Sequence, residues 1–290
     1  MNPQFPIYIV SKGRWDKQKT ATALDKMQVP YHIIVEKDEY DKYLQYFPAE
    51  KLLICPQSFR EQYDPCDKLG LTKSIGPGAS RNFAWEHSIN SGAKWHWVMD
   101  DNIIQFFRNN NNRYIQCLDG ALFRAMEDFA LRYENVVQAG PTYFMFNPIR
   151  RKTRPVCINT RIYSCILLRN DIPFRWRGRY NEDTDLSLRI LKAGYATIEF
   201  YVFTQHKMPT QTLKGGNTDQ FYSKEGTLPK SKMQVQLHPD VSELVWKFGR
   251  WHHKVNYKPF RNNKLMPKAN YANLPLVDNY GMELIKIEKT

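Results

Sequence analysis

The sequence predicts an α/β fold: a Rossmann-like, mostly parallel central sheet flanked by helices, with a basic C-terminal extension. Three observations carry this expectation. Short aliphatic and β-branched runs alternate with helical stretches along the first part of the chain, the order that builds parallel sheets. Hydrophobic residues make up 42% and charged residues 24%, the balance of a globular chain. A length of 290 residues suffices for one sizeable core with an appended region.

The elements follow in order. Pro6-Ile7-Tyr8-Ile9-Val10 is a short buried strand ending in the polar loop Ser11-Lys12-Gly13-Arg14. A helix over 16–27 leads to the second strand, Tyr31-His32-Ile33-Ile34-Val35, which ends at Glu36. Residues 40–46 read as helical, and Leu52-Leu53-Ile54 is a third strand. Ile75-Gly76-Pro77-Gly78-Ala79-Ser80-Arg81-Asn82 is a turn opening a helix that runs to about 92. Trp95-His96-Trp97-Val98-Met99 is a strand ending in Asp100-Asp101-Asn102. A four-asparagine loop at 109–112, a helix over 119–133 and one or two strands in 156–168 come next. The helix over 182–193 closes at Gly194, and 198–203 is a strand. Beyond Thr204 regular signals thin out. Lys214-Gly215-Gly216-Asn217 reads as a loop, and 241–253 as a helix. The expected division is a catalytic domain over 1–217 and a basic, aromatic extension over 218–290 packed on it.

Charge is the first functional clue. Lys and Arg number 42 against 29 acidic residues, a net charge of +13, which favours a polyanionic partner or a phosphorylated substrate. Lys247, Arg250, Lys254, Lys258, Arg261, Lys264 and Lys268 follow one another with no acidic residue between, interleaved with Trp246, Phe248, Trp251, Tyr257 and Phe260. That pattern suits phosphate contacts plus base stacking, and equally a packed helix face. The five cysteines, Cys55, Cys66, Cys117, Cys157 and Cys165, show no zinc-site spacing. No apolar run is long enough to cross a bilayer, and the N-terminus lacks a signal-peptide pattern, so the expected location is cytoplasmic.

Four constellations carry chemistry. Asp100-Asp101-Asn102 stands at the carboxyl end of a strand, where α/β sheets bind ligands, and paired carboxylates there can hold a divalent cation. They also serve as an ordinary turn. Asn181-Glu182-Asp183-Thr184-Asp185 opens a helix: carboxylates cap such a start, and four acidic or amide groups in five residues exceed what a cap needs. Asp183 is the candidate general base, with Glu182 beside it. His206, just past a strand of the same sheet, is a candidate third metal ligand. Gly76 to Asn82 resembles a phosphate-approach turn with Arg81 to fork onto an anion, yet it matches neither the P-loop nor the dinucleotide fingerprint.

The order of these motifs resembles a GT-A glycosyltransferase. More narrowly, over about residues 7–217, it resembles the TET-associated glycosyltransferases encoded by bacteriophages. The resemblance implies sugar transfer to 5-hydroxymethylcytosine in DNA. It implies that Ser11, Lys12, Arg14 and Glu36 border the uridine of a UDP-sugar, UDP-glucose or UDP-N-acetylglucosamine, and that Arg81 approaches its diphosphate or sugar. Asp100, Asp101 and Asn102 take the place of the family's acidic motif, with Mn²⁺ or Mg²⁺ as the metal. Because the third position is Asn102, the division of metal and sugar binding between Asp100 and Asp101 stays open. Asp183 matches the catalytic base of inverting relatives, and His206 the late metal ligand. Gly216 and Asn217 match a loop that folds over the donor. If the chain is phage-encoded, it works in the host cytoplasm.

The resulting expectation is a metal-dependent glycosyltransferase with a nucleotide-sugar donor and a DNA acceptor. Its rivals are the same fold acting on a protein or glycan, a nucleotidyltransferase, and a non-catalytic nucleic-acid-binding module. The clustered Glu182, Asp183 and Asp185 oppose the last, since carboxylates repel phosphate.

Overall fold

The computed structural model describes residues 1–67, 75–148, 154–208 and 226–283. Its centre is a ten-stranded sheet in the order β3-β2-β1-β4-β9-β7-β10-β5-β6, with β8 also paired to β10. The strands are β1 (Ile7–Val10), β2 (His32–Val35), β3 (Leu52–Ile54), β4 (Trp95–Asp100), β5 (Ile103–Asn110), β6 (Arg113–Gln116), β7 (Val136–Tyr143), β8 (Val156–Ile158), β9 (Cys165–Arg169) and β10 (Ala196–Lys207). The first four to pair, β3-β2-β1-β4, are parallel throughout. Beyond them β9 runs against both β4 and β7, while β10 lies parallel to β7 and antiparallel to β5 and β8. Seven strands (β1 to β4, β6, β7, β10) thus share one direction and three (β5, β8, β9) oppose it.

The described helices are α1 (Lys19–Lys26), α2 (Tyr40–Leu44), α3 (Gln57–Glu61), α4 (Gly78–Asn90), α5 (Ala121–Ala130), α6 (Glu182–Lys192) and α7 (Leu228–Leu237). Helices cover both faces of the sheet, which is why β1 is apolar at every position rather than alternating. Ile7 and Ile9 face one layer with Leu24 of α1 and Leu122, Phe123 and Met126 of α5. Tyr8 and Val10 face the other with Trp85 of α4 and Leu186 and Ile190 of α6.

Two segments differ from expectation. The four-asparagine stretch is the reversal between β5 and β6: Asn110 pairs with Arg113, and Asn111 and Asn112 take the left-handed conformation (φ 49° and 58°) that a two-residue hairpin turn demands and asparagine tolerates. The helix expected over 241–253 is instead a hairpin, β11 (Ser242–Lys247) and β12 (Arg250–Val255). Gly249 (φ 70°) supplies the turn, and the directly opposed Trp246 and Trp251 rings, 5.2 Å apart, favour strand pairing over helix. After it the chain packs back on the domain. Phe260 joins Leu188, Leu191 and Val241 in a small core, Leu265, Tyr271 and Tyr280 lie against the main one, and Glu134 N–H donates to the Met266 carbonyl at 2.8 Å. The expected boundary at 217 lies outside the described residues.

Candidate active site

The carboxyl ends of β1, β2 and β4 lie side by side, with Val10 opposite Asp100 and Ile34, so the residues following these strands converge. The turn after β4 is fixed by α1. Thr20 donates its hydroxyl to the Asp100 carbonyl at 2.6 Å and accepts the Ile103 N–H at 2.9 Å, while the Asp101 carbonyl takes the N–H groups of Lys19 and Thr20. The two carboxylates are thereby held in different surroundings.

Asp101 is buried and faces β1. Its Oδ2 accepts the Ser11 hydroxyl at 2.8 Å and its Oδ1 pairs with Arg14; Ser11 also contacts the Tyr43 hydroxyl at 2.7 Å and the Gln18 amide. Burial pushes the Asp101 carboxyl up, more than Arg14 and Ser11 bring it down. Beside it, Glu36 is bridged by Lys12 at 2.9 Å and by Arg60. Ser11 and Arg14 thus gather on Asp101, and Lys12 and Arg60 on Glu36, a polar rim of two clusters on the loops after β1 and β2.

Asp100 is more open, with its side chain 28% exposed. Its Oδ1 accepts from Arg81 at 2.7 Å, and its Oδ2 lies 3.8 Å from Lys207 Nζ. Burial alone would raise this carboxyl, but the charges of Arg81 and Lys207 outweigh it and hold it below the usual range. Arg81 is buried, 3% exposed, stacked 4.7 Å over Trp176 and 3.6 Å from Glu182. It is thus an internal strut joining Asp100 to the start of α6, not the outward phosphate fork expected of it. The glycine turn has a packing cause too. A Cβ on Gly78 would stand 1.9 Å from the Tyr63 hydroxyl, which fills that space and donates to the Gly178 carbonyl at 2.8 Å.

The first turn of α6 sorts its acids by depth. Asn181 precedes it in the left-handed conformation (φ 52°) and donates to the Lys230 carbonyl at 2.9 Å, which ties α6 to α7. Glu182 is buried, and burial raises its carboxyl to about 7 against the pull of Arg81. Asp185 is fully buried among Arg177, Arg189 and His238, a structural network. Asp183 is only partly buried, and its Oδ1 accepts the Thr184 N–H at 2.7 Å and lies 3.3 Å from the Thr184 hydroxyl.

His206 does not join this group. It lies within β10, its ring stacked on Phe144 at 4.9 Å and its Nδ1 3.4 Å from the Gln105 amide. The neighbouring residue, Lys207, reaches Asp100 instead, at a bulge between the two. Asn102 holds the Met208 N–H on its carbonyl at 3.1 Å, and its side-chain oxygen is buried with no partner among the described residues. Both oxygens of Asp101 are occupied by donors, and Asp100 is flanked by two cations. No group of three or more His, Cys, Asp or Glu side chains among the described residues is arranged to hold a metal. The described residues therefore do not fit the divalent-cation site expected from Asp100, Asp101, Asn102 and His206.

The structure brings residues of the expected site together in three sets of polar contacts, Ser11 and Arg14 on Asp101, Lys12 on Glu36, and Arg81 on Asp100 and Glu182, with Asp183 beside the last on α6. Gly216 and Asn217 lie outside the described residues. Sequence reasoning missed Lys207, Arg60, Tyr43 and Trp176. Only Lys207 had a signal, its place next to His206 with the opposite strand parity.

A Rossmann-like sheet with an acidic pair at the end of β4, faced by the acidic start of α6, is the arrangement of a glycosyltransferase. The model of the TET-Associated Glycosyltransferase family matches residues 5–216, and the chain belongs to that family. No curated protein matches the chain. No helix among the described residues is long and apolar enough to cross a membrane.

Proposed function

We propose that this glycosyltransferase moves a sugar from a UDP-sugar, UDP-glucose or UDP-N-acetylglucosamine, to the hydroxymethyl group of a modified cytosine in DNA. The observation that carries the reading is Asp183. Of the carboxylates opening α6 it is the one that is not buried, it lies within the electrostatic reach of Arg81, Arg161 and Lys230, and it stands beside the buried Arg81–Asp100–Glu182 cluster of a glycosyltransferase chain. In this reading the polar rim of Ser11, Lys12, Arg14 and Glu36 borders the nucleoside. As the acceptor oxygen bonds to the anomeric carbon, the bond from that carbon to the diphosphate breaks and its electron pair leaves with UDP. Asp183 takes the acceptor proton. Arg81 holds Asp100 in place from within, and Lys207 beside it is the cation that offsets charge growing on the leaving group. The net charge of +13 favours the DNA acceptor.

The test is incubation with 5-hydroxymethylcytosine DNA and a panel of UDP-sugars, with Mn²⁺, Mg²⁺ or chelator, followed by mass spectrometry of the released nucleosides. A hexose or N-acetylhexosamine mass on hydroxymethylcytosine supports the reading and names the donor. UDP release with no mass on DNA would move the acceptor to a protein, a glycan or water.

A further inference from the structure

The β11–β12 hairpin carries an unusual tip. Phe248 occupies a left-handed position (φ 52°) where asparagine or glycine is the ordinary occupant, and it is 90% exposed, so no burial offsets the strain. Lys247 and Arg250 flank it as an opposed pair, and Trp246, 60% exposed, stands next to them. An aromatic ring thrust into solvent between two cations suits a polyanion that also offers apolar faces.

The same hairpin walls a cavity of about 330 Å³, through His253 and Val255 of β12. Glu199, buried at 8% exposure, and Arg161 bring a carboxylate and a guanidinium to it, and Phe146 and Tyr163 bring rings. Thr142 donates to Glu199 at 2.7 Å, and Arg161 lies 5.3 Å over the Tyr163 ring. The Tyr163 hydroxyl is buried with no hydrogen-bond partner among the described residues. Burial pushes the Tyr163 and Tyr257 hydroxyls up, and the charge of Asp183 adds to both, so Asp183 acts electrostatically on two residues that line this cavity. The volume is at the small end of the about 300–1,000 Å³ span of ligand sites, a size for one ring rather than an oligosaccharide.

We propose that this hairpin and cavity form a base-extrusion device: Phe248 wedges into the duplex, and the cavity receives the extruded 5-substituted pyrimidine. Glu199 accepts from the exocyclic amine, Arg161 donates to the ring carbonyl or nitrogen, and the 5-substituent faces Asp183. The inference rests on the DNA acceptor proposed above.

Steady-state transfer to three substrates tests it: a fully paired hydroxymethylcytosine duplex, the same duplex with an abasic site opposite the target, and the single strand. For the wild type, 2-aminopurine opposite the target brightens on binding, and the unpaired targets show the lower KM. Phe248→Ala, at an exposed tip, raises KM on the paired duplex about tenfold and leaves the unpaired targets within about twofold. Glu199→Gln and Tyr163→Phe, the latter removing a single oxygen, lower kcat/KM on all three substrates, Glu199→Gln by about tenfold. Equal loss by Phe248→Ala on paired and unpaired targets would overturn the wedge, and unchanged transfer by both cavity variants would overturn the pocket. A wild type that releases UDP yet modifies none of the three substrates would overturn the acceptor reading itself, and this inference with it.

Discussion

Asp183 and Asp185 stand two residues apart in the first turn of α6, and their partners separate them. Three cationic or hydrogen-bonding side chains enclose Asp185, whereas the Asp183 carboxylate bonds Thr184, lies within the electrostatic reach of Arg81, Arg161 and Lys230, and is only partly buried. The proposed base must meet its proton donor, and of these two carboxylates Asp183 is the one an acceptor hydroxyl can reach. Asp183→Asn keeps the side chain's shape and removes its basicity. It is expected to lower kcat by about 10²–10⁴-fold with UDP binding by calorimetry nearly unchanged; wild-type turnover would end the assignment. Lys207 makes a different prediction. Its Nζ bonds Ser164 at 2.6 Å and faces Asp100, where the sequence alone points to His206 as a metal ligand. Lys207→Met is expected to weaken UDP binding measured in chelator by about tenfold or more, since the proposed reading sets this charge near the diphosphate. His206→Ala should leave that binding unchanged. The reverse pattern would restore His206 as the ligand-binding residue.

At the scale of elements, α6 is anchored by charge as well as by its apolar face. Burial alone would raise the Asp185 carboxyl, but the His238 hydrogen bond, Arg177 and Arg189 outweigh it and hold it at about 2. The folded value lies below the unfolded one near 4. The network's contribution is therefore complete above about pH 4 and lost as pH falls toward 2, about 2 kcal/mol in all. Asp185→Asn should unfold about 3 kcal/mol more easily at pH 7, because Arg177 and Arg189 lose their buried partner. It should also lack this share of the wild type's acid sensitivity between pH 4 and 2. Parallel denaturation curves at the two pH values check both; identical pH slopes would discard the network as the cause. The same helix shows what the sequence made legible. The strands of β1, β2, β3 and β4, and the acids following β4 and opening α6, were readable because short apolar runs and turn residues are local signals. The β11–β12 hairpin was not, since its 13-residue stretch has aromatic residues at spacings that suit helix or strand, and only the register of Trp246 against Trp251 decides. The Lys207–Asp100 contact was equally hidden: it depends on a bulge in β10 and on residues more than a hundred positions apart.

For the whole molecule, the question is where the +13 charge acts. The polar cluster at the strand ends neutralises itself: Asp100, Asp101, Glu36 and Glu182 are each met by Arg or Lys. Lys247, Arg250, Lys258, Arg261 and Lys264 are exposed along the hairpin and the chain after it, on the part that packs over α6. If a duplex lies across that surface, each phosphate contact displaces a counterion, and the logarithm of affinity falls with the logarithm of salt by about 0.9 per contact. Replacing Lys258 and Lys264 by Ala should flatten that slope by about 0.9 for each residue that touches phosphate, and weaken all DNA sequences alike. Phe248→Ala should weaken binding to paired DNA without changing the slope, because a ring displaces no counterion. Titrations of hydroxymethylated duplex at several salt concentrations separate the two effects. A salt-independent affinity would mean that the basic surface meets no phosphate, and would return the acceptor to an uncharged protein or glycan. A slope changed equally by Phe248→Ala and by the lysine variants would mean that the hairpin tip holds the backbone rather than entering the base stack.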